Sequence, residues 1–171
     1  MKFLYSLLLI TFFACQCIFG QTKWTSPKYK YTIEIPDGFT QSKPIGKNVD
    51  FKAINVDGFA SIVVSVHEFT PDATDIDWFE IITDLDAYYA ESKKNMLEYV
   101  DDFDIVKYGT TTIDGLNSVW SDSVFRDKGL YVKGYQVKKN NYLYTFELTS
   151  SISRKDYWNA YWFRFKNSIR L

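Results

Sequence analysis

The sequence predicts an α+β domain, an antiparallel sheet of about six to seven strands covered by helices. Three observations carry this. Short alternating or apolar segments are separated by tight turn signals, which force antiparallel neighbours. The apolar spacing changes from two to three-and-four in two places, residues 77–100 and 153–169, the signature of amphipathic helices among strands. The resulting order is three strands, a long helix, about four strands in tight hairpins, and a last helix. That order stacks helices on one sheet rather than alternating them with parallel strands.

The first strand is Lys28 to Ile35. Tyr29, Tyr31, Ile33 and Ile35 share one face, and Lys28, Lys30, Thr32 and Glu34 the other, as in a half-buried strand. Pro36-Asp37-Gly38 ends it with a turn. Val49 to Ile54 follows, then a hairpin signal at Val56-Asp57-Gly58. Phe59 to Val66 is apolar on both faces, which predicts an interior strand. After an acid-rich loop, Asp77-Trp78-Phe79-Glu80 has capping-box form, with Ile76 and Ile81 in staple positions. Trp78, Ile82, Leu85, Tyr89, Met96 and Tyr99 continue a stripe to about Val100. Strands return at Phe103 to Tyr108 and Thr110 to Ile113, and Asp114-Gly115 turns the chain into Leu116 to Phe125. Asp127-Lys128-Gly129 and Asn140-Asn141 separate two more strands, Leu130 to Lys138 and Tyr142 to Thr149. Ser153-Arg154-Lys155-Asp156 then has the acidic capping-box form. It opens a closing helix with Trp158, Trp162, Phe165 and Ile169 at core spacing.

Residues 1–20 read as a removable export segment: Lys2, then a mostly apolar run from Phe3 to Ala14. The run is shorter than the roughly 20 apolar residues that a spanning helix needs. Two processing routes fit. Cleavage after Gly20 releases a chain that starts at Gln21, with Ile18 oversized for the other recognition position. Cleavage before Cys15 would leave that thiol to carry lipid, with Ala14 in favour and Phe12 and Phe13 against. The mismatches place simple cleavage first and lipid anchorage second. Both cysteines, Cys15 and Cys17, lie in this segment, so residues 21–171, read as a single domain, contain no disulfide, thiol nucleophile or thiolate metal site. At that size a hydrophobic core suffices without staples. Of the 20 basic residues, Lys2 leaves with the leader, against 21 acidic ones. Without a basic excess no nucleic acid partner is expected.

The residue types that do chemistry are present but scattered. His67 is the only histidine. It shares a strand face with Ser61 and Ser65, but no nucleophile elbow surrounds either serine, and a strand-end histidine is the plainer reading. A hydrolase built around His67 stays as the alternative function. Asp72, Asp75, Asp77, Asp84 and Asp86 lack the calcium-loop spacing and its turn glycine. Acids in a helix's first turn account for them, with a weak calcium site as the lesser alternative, and Asp101, Asp102 and Asp104 likewise have no metal loop around them. Glu34 and Glu147 face out of their strands, and nothing brings them together as a glycosidase pair. Solvent-side polarity is expected for both. No phosphate loop, dinucleotide fingerprint or zinc-helix motif occurs, so no cofactor or catalytic role is expected.

Aromatic content is high, with 14 Phe, 13 Tyr and 5 Trp. On the closing helix, core spacing claims Trp158, Trp162 and Phe165 and leaves Tyr157, Tyr161 and Arg164 nearer the surface. Exposed aromatic and arginine side chains make interface anchors, so these three form the candidate partner surface. A small-molecule or glycan site using exposed aromatics is a further alternative.

Tyr31-Thr32-Ile33-Glu34-Ile35-Pro36-Asp37-Gly38-Phe39 resembles the opening strand, proline turn and aromatic of PsbP-like domains. The last strands and the helix ending at Asn167-Ser168-Ile169 resemble that family's closing segment. The resemblance implies an α/β/α sandwich with an antiparallel sheet, in a family of generally non-catalytic accessory or assembly factors of envelope or thylakoid settings. The combined expectation is an exported, non-catalytic accessory or protein-binding domain of the cell envelope whose partner is another envelope protein.

Overall fold

A computed structural model of the chain describes residues 22–55, 57, 59–69, 79 and 82–171. The leader with Cys15 and Cys17, and the acidic and capping-box positions Asp72, Asp75, Asp77, Trp78 and Glu80, lie outside the described residues. So do the staple residues Ile76 and Ile81, and Val56 and Gly58.

Seven strands form one antiparallel sheet. In chain order they are β3 (Phe39–Gln41), β4 (Val49–Asn55), β5 (Ala60–Glu68), β6 (Phe103–Ile113), β7 (Leu116–Phe125), β8 (Leu130–Lys139) and β9 (Tyr142–Ser151). Across the sheet they run β3-β4-β5-β9-β8-β7-β6, so the last strand inserts beside β5 at the centre. Helix α1 (Leu85–Leu97) lies against one face and helix α2 (Lys155–Ser168) against the other. The Asp114-Gly115 turn has positive φ at both residues, 50° and 79°. This is the geometry that a two-residue hairpin with the right twist requires.

The main core occupies the α2 side. Ile62, Val64 and Val66 of β5 alternate onto it, and so do Tyr144, Phe146 and Leu148 of β9. Trp158, Trp162, Phe165 and Ile169 close it from α2 and its end, at the spacing expected. Trp162 stacks on Phe165 at 4.8 Å between ring centroids.

Several expectations need correction. The first strand does not run Lys28 to Ile35. Lys30 has φ 65°, and the chain between Ser26 and Tyr31 is closed by the Ser26 and Lys30 amides, so only β2 (Thr32–Ile35) is extended. It pairs with an unforeseen strand, β1 (Thr22–Thr25), as a separate ribbon. That ribbon packs Tyr31 and Ile33 into the main core, and mutual bonds with the Arg170 backbone pin it. Phe39–Gln41 is likewise an unforeseen edge strand.

The helix expected from Asp77 to Val100 is not continuous. Asp84 is extended at φ −133° and ψ 106°, and its carboxylate accepts from the Ala87 amide at 2.9 Å. It caps a new helix there. Met96 and Tyr99, placed in the core stripe by spacing, are exposed, Tyr99 at 82%. The Ser153 capping box does not form either. Ile152–Arg154 make a 3-10 turn, Ser153 pairs with the Ser151 hydroxyl, and the cap position Arg154 makes no side-chain cap bond.

Residues 103–113, expected as two strands parted at Gly109, are one strand. A side chain at Gly109 would approach the Trp120 indole to 3.0 Å. The glycine therefore serves the close approach of Trp120 within the ladder rather than breaking it.

Candidate functional site

The sheet face under α1 is chemically unlike the core face. Alternation places Thr145, Glu147 and Thr149 of β9 here, with Ser61, Val63 and Ser65 of β5 on one side. On the other side stand Gln136 and Gly134 of β8, followed by Val119, Ser121 and Ser123 of β7. Apart from Val63 and Val119, this face is built of hydroxyls, an amide, a glycine and a carboxylate, which stabilise little by burial.

Between this face and α1 lies a cavity of about 160 Å³. Tyr88, Tyr89, Ser92 and Met96 line it from the helix, and Phe103 and Phe125 from the end of the β6–β7 pair. The two tyrosines are fixed. The Tyr88 hydroxyl donates to Gln136 Oε1 at 2.6 Å and the Tyr89 hydroxyl to the Trp120 carbonyl at 2.9 Å. Burial pushes both phenols above their ordinary range.

Glu147 corrects the expectation of solvent-side polarity. It lies on the central strand, half-buried, and lines the cavity. Val63 and Gly134 stand opposite it on the neighbouring strands. Burial pushes its carboxyl up from the usual carboxylate range. Among the described residues no hydrogen bond or ion pair reaches it. Glu34 is exposed on β2, in the other sheet, so the two glutamates are not a pair. Spacing along β9 put Glu147 on the face opposite Phe146, as it is; what the spacing could not report is that α1 covers that face.

The candidate partner surface is on the opposite side of the molecule. Tyr157 is 57% exposed and Arg164 is exposed, while Tyr161 is half-buried against the core. The Tyr157 and Tyr161 hydroxyls lie 3.2 Å apart and their rings 5.2 Å. That hydroxyl contact pushes the Tyr161 phenol above its ordinary range. The structure thus brings Tyr157 and Tyr161 together on one flank of α2. Phe163, 64% exposed, adds to this surface and was not singled out by spacing. At 3.6 residues per turn it sits on the other flank of the outward side. There it borders a groove of about 340 Å³ lined also by Trp120, Tyr135, Lys133 and Lys166.

His67 is exposed opposite Leu143, with its ring edge-on to Phe69 at 5.6 Å. It makes no hydrogen bond to Ser61 or Ser65 among the described residues, so the hydrolase alternative finds no assembled nucleophile and base. Asp84 caps α1, and Asp86 accepts from the Tyr108 hydroxyl at 2.8 Å. Asp102 and Asp104 bind Arg126 at 3.2 and 3.0 Å, and Lys93 reaches Asp104 at 2.7 Å. Lys93, then Arg126, hold the Asp104 carboxyl below the usual range. Among the described residues no group of three or more His, Cys, Asp and Glu is placed to hold a metal ion, and no helix is long and apolar enough to cross a membrane.

This arrangement has counterparts among solved structures. CyanoP, the cyanobacterial PsbP of Synechocystis sp. PCC 6803, superposes with a TM-score of 0.68 at 14% identity, over 91% of this chain and 95% of that one. The fold is PsbP-like. LpqN of Mycobacterium tuberculosis, described as involved in cell envelope biogenesis, gives a TM-score of 0.59 at 10% identity, over 88% of this chain and 89% of its own. No family model matches the chain, and no curated protein does. The PsbP-like fold is thus carried here by a pattern of strands, turns and core positions rather than by shared residues. At these identities the likeness speaks for the fold alone.

Proposed function

We propose that this chain is an exported, non-catalytic accessory domain of the cell envelope that works by binding another envelope protein through the outward side of α2. The observation that carries the reading is the surface made by Tyr157, Tyr161, Phe163 and Arg164. Large aromatics exposed beside an arginine offer stiff contact area and charge-assisted bonds, the composition that interface centres use. The adjoining groove at Trp120 supplies a concave element beside Phe163. The leader at residues 1–20 supports export, by release after Gly20 in the first instance and by lipid at Cys15 in the second. The fold shared with LpqN, which is described as involved in cell envelope biogenesis, supports an envelope setting.

The test compares intact protein with a Tyr157→Ala/Arg164→Glu variant. Both are used to capture partners from envelope extracts after mild cross-linking, with quantitative mass spectrometry. One protein enriched by the parent and depleted at least about tenfold with the variant is the expected result; tenfold corresponds to about 1.4 kcal/mol, the size of an ordinary interface anchor. Equal recovery of every protein by both chains would overturn the reading.

A further inference from the structure

We propose that the cavity under α1 is a binding site for a small primary ammonium compound with a single-ring apolar body, the cation held by Glu147 and the ring by the Tyr88, Phe103 and Phe125 walls. This is independent of the α2 surface and lies across the sheet from it.

Three observations converge. The first is a carboxylate that no counter-charge reaches among the described residues. A carboxyl group taken out of water without a partner costs several kcal/mol or gives up its charge. Any apolar side chain of similar size would fill this central sheet position at less cost. Asp104, by contrast, is paired with Lys93 and Arg126, and Asp122 with Lys133. Glu147 is not, and it lines a void.

The second is the glycine across from it. Gly134 stands opposite Glu147 in the β8–β9 ladder with no positive φ. A side chain there would meet only Ser121 Oγ, at an ordinary 3.8 Å. Neither backbone strain nor a close neighbour demands glycine, and glycine weakens a strand interior. What the missing side chain provides is space beside the carboxylate.

The third is the size and character of that space. About 160 Å³ is close to an engineered apolar cavity of about 150 Å³ in another protein that accepts one benzene. It is well below the roughly 300 Å³ at which drug-sized sites begin. Aromatic faces attract a cation as well as an apolar ring. The hydroxyls of Ser121 and Ser123 stand where further ammonium N–H groups can donate. An anion is repelled by Glu147, and a neutral hydrocarbon leaves the carboxyl unanswered.

Benzylamine, protonated at neutral pH, is the probe, with benzyl alcohol and benzoate as the neutral and anionic counterparts. Isothermal titration of the purified protein should give saturable 1:1 binding of benzylamine. Benzyl alcohol should bind at least about tenfold more weakly, because it lacks the charge-assisted bond, and benzoate not measurably. Glu147→Gln, which keeps the side chain's shape, should lose benzylamine at least about tenfold. Gly134→Ala should weaken all ring-containing probes by filling the space. Circular dichroism and thermal unfolding verify that each variant is folded. No saturable benzylamine binding, equal binding of amine and alcohol, or unchanged affinity in Glu147→Gln would each overturn the proposal.

Discussion

At the residue scale, the two carboxylates whose environments differ most are Glu147 and Asp104, and they act on stability in opposite senses. Asp104 is held ionised by Lys93 and Arg126, so its contribution is present above the ordinary carboxylate range and lost on acidification. Lys93 and Arg126 are 43% and 51% exposed, so solvent screens both contacts and the contribution is small. Glu147 is pushed up by burial. The folded state then binds its proton more tightly than the unfolded chain does, and stability falls as pH rises through that interval. Glu147→Gln removes this penalty. Thermal unfolding in the absence of amines should show the variant more stable than the parent at pH 7 by a few degrees. The gap should close below pH about 4, where unfolded glutamate is itself protonated. A variant less stable than the parent at pH 7 would mean that Glu147 has a counter-charge after all. The chain shows no sign of this environment along β9 itself. Glu147 alternates with Phe146 and Leu148 as any solvent-facing residue would, and its burial comes from a helix about 50 positions earlier in the sequence.

At the element scale, local signals succeeded wherever the element made its own structure. The Asp114-Gly115 hairpin, the alternation of β9 and the Trp158, Trp162, Phe165 and Ile169 stripe of α2 are as spacing and turn chemistry dictate. They failed where two local signals competed. Asp84, which spacing left inside the expected helix, starts the one at Leu85–Leu97 because its carboxylate reaches the Ala87 amide. Ser153 had capping-box form, but its hydroxyl meets Ser151 instead. The alternation of Lys28 to Ile35 was cut by a turn that Ser26-Pro27 opens and a positive-φ Lys30 closes. Since α1 carries two walls of the cavity, its cap matters to the site. Asp84→Ala should cost about 1 kcal/mol in denaturant unfolding. Amide exchange should rise over residues 85–88 and stay unchanged in β5 and β9. Uniform loss of protection over the sheet would show that α1 does not open on its own.

At the scale of the whole molecule, one antiparallel sheet separates two chemistries. Aromatic and aliphatic side chains seal the face under α2, while the face under α1 mixes hydroxyls and a carboxylate with a smaller apolar cluster around Val119 and Tyr89. The antiparallel sheet and its hairpin neighbours β6, β7, β8 and β9 were legible in advance, because short turns fix antiparallel neighbours, whereas the long-range insertion of β9 beside β5 was not, since no turn joins them. The β1–β2 ribbon was not, since its partner strand is only four residues long. The surface of α2 was legible on one flank, Tyr157, Tyr161 and Arg164. Phe163 on the other flank was not, because a stripe read for core positions leaves the sides of a helix unranked.

The central claim is that this surface meets another envelope protein. Its most direct test is a photo-crosslinking residue placed at Tyr157 in the full chain in living cells, with the same residue at the exposed Glu91 on α1 as the control across the sheet. One discrete adduct is expected from position 157, absent from position 91 and lost when Arg164→Glu is added. The same adducts from both positions, or none from position 157, would contradict the claim.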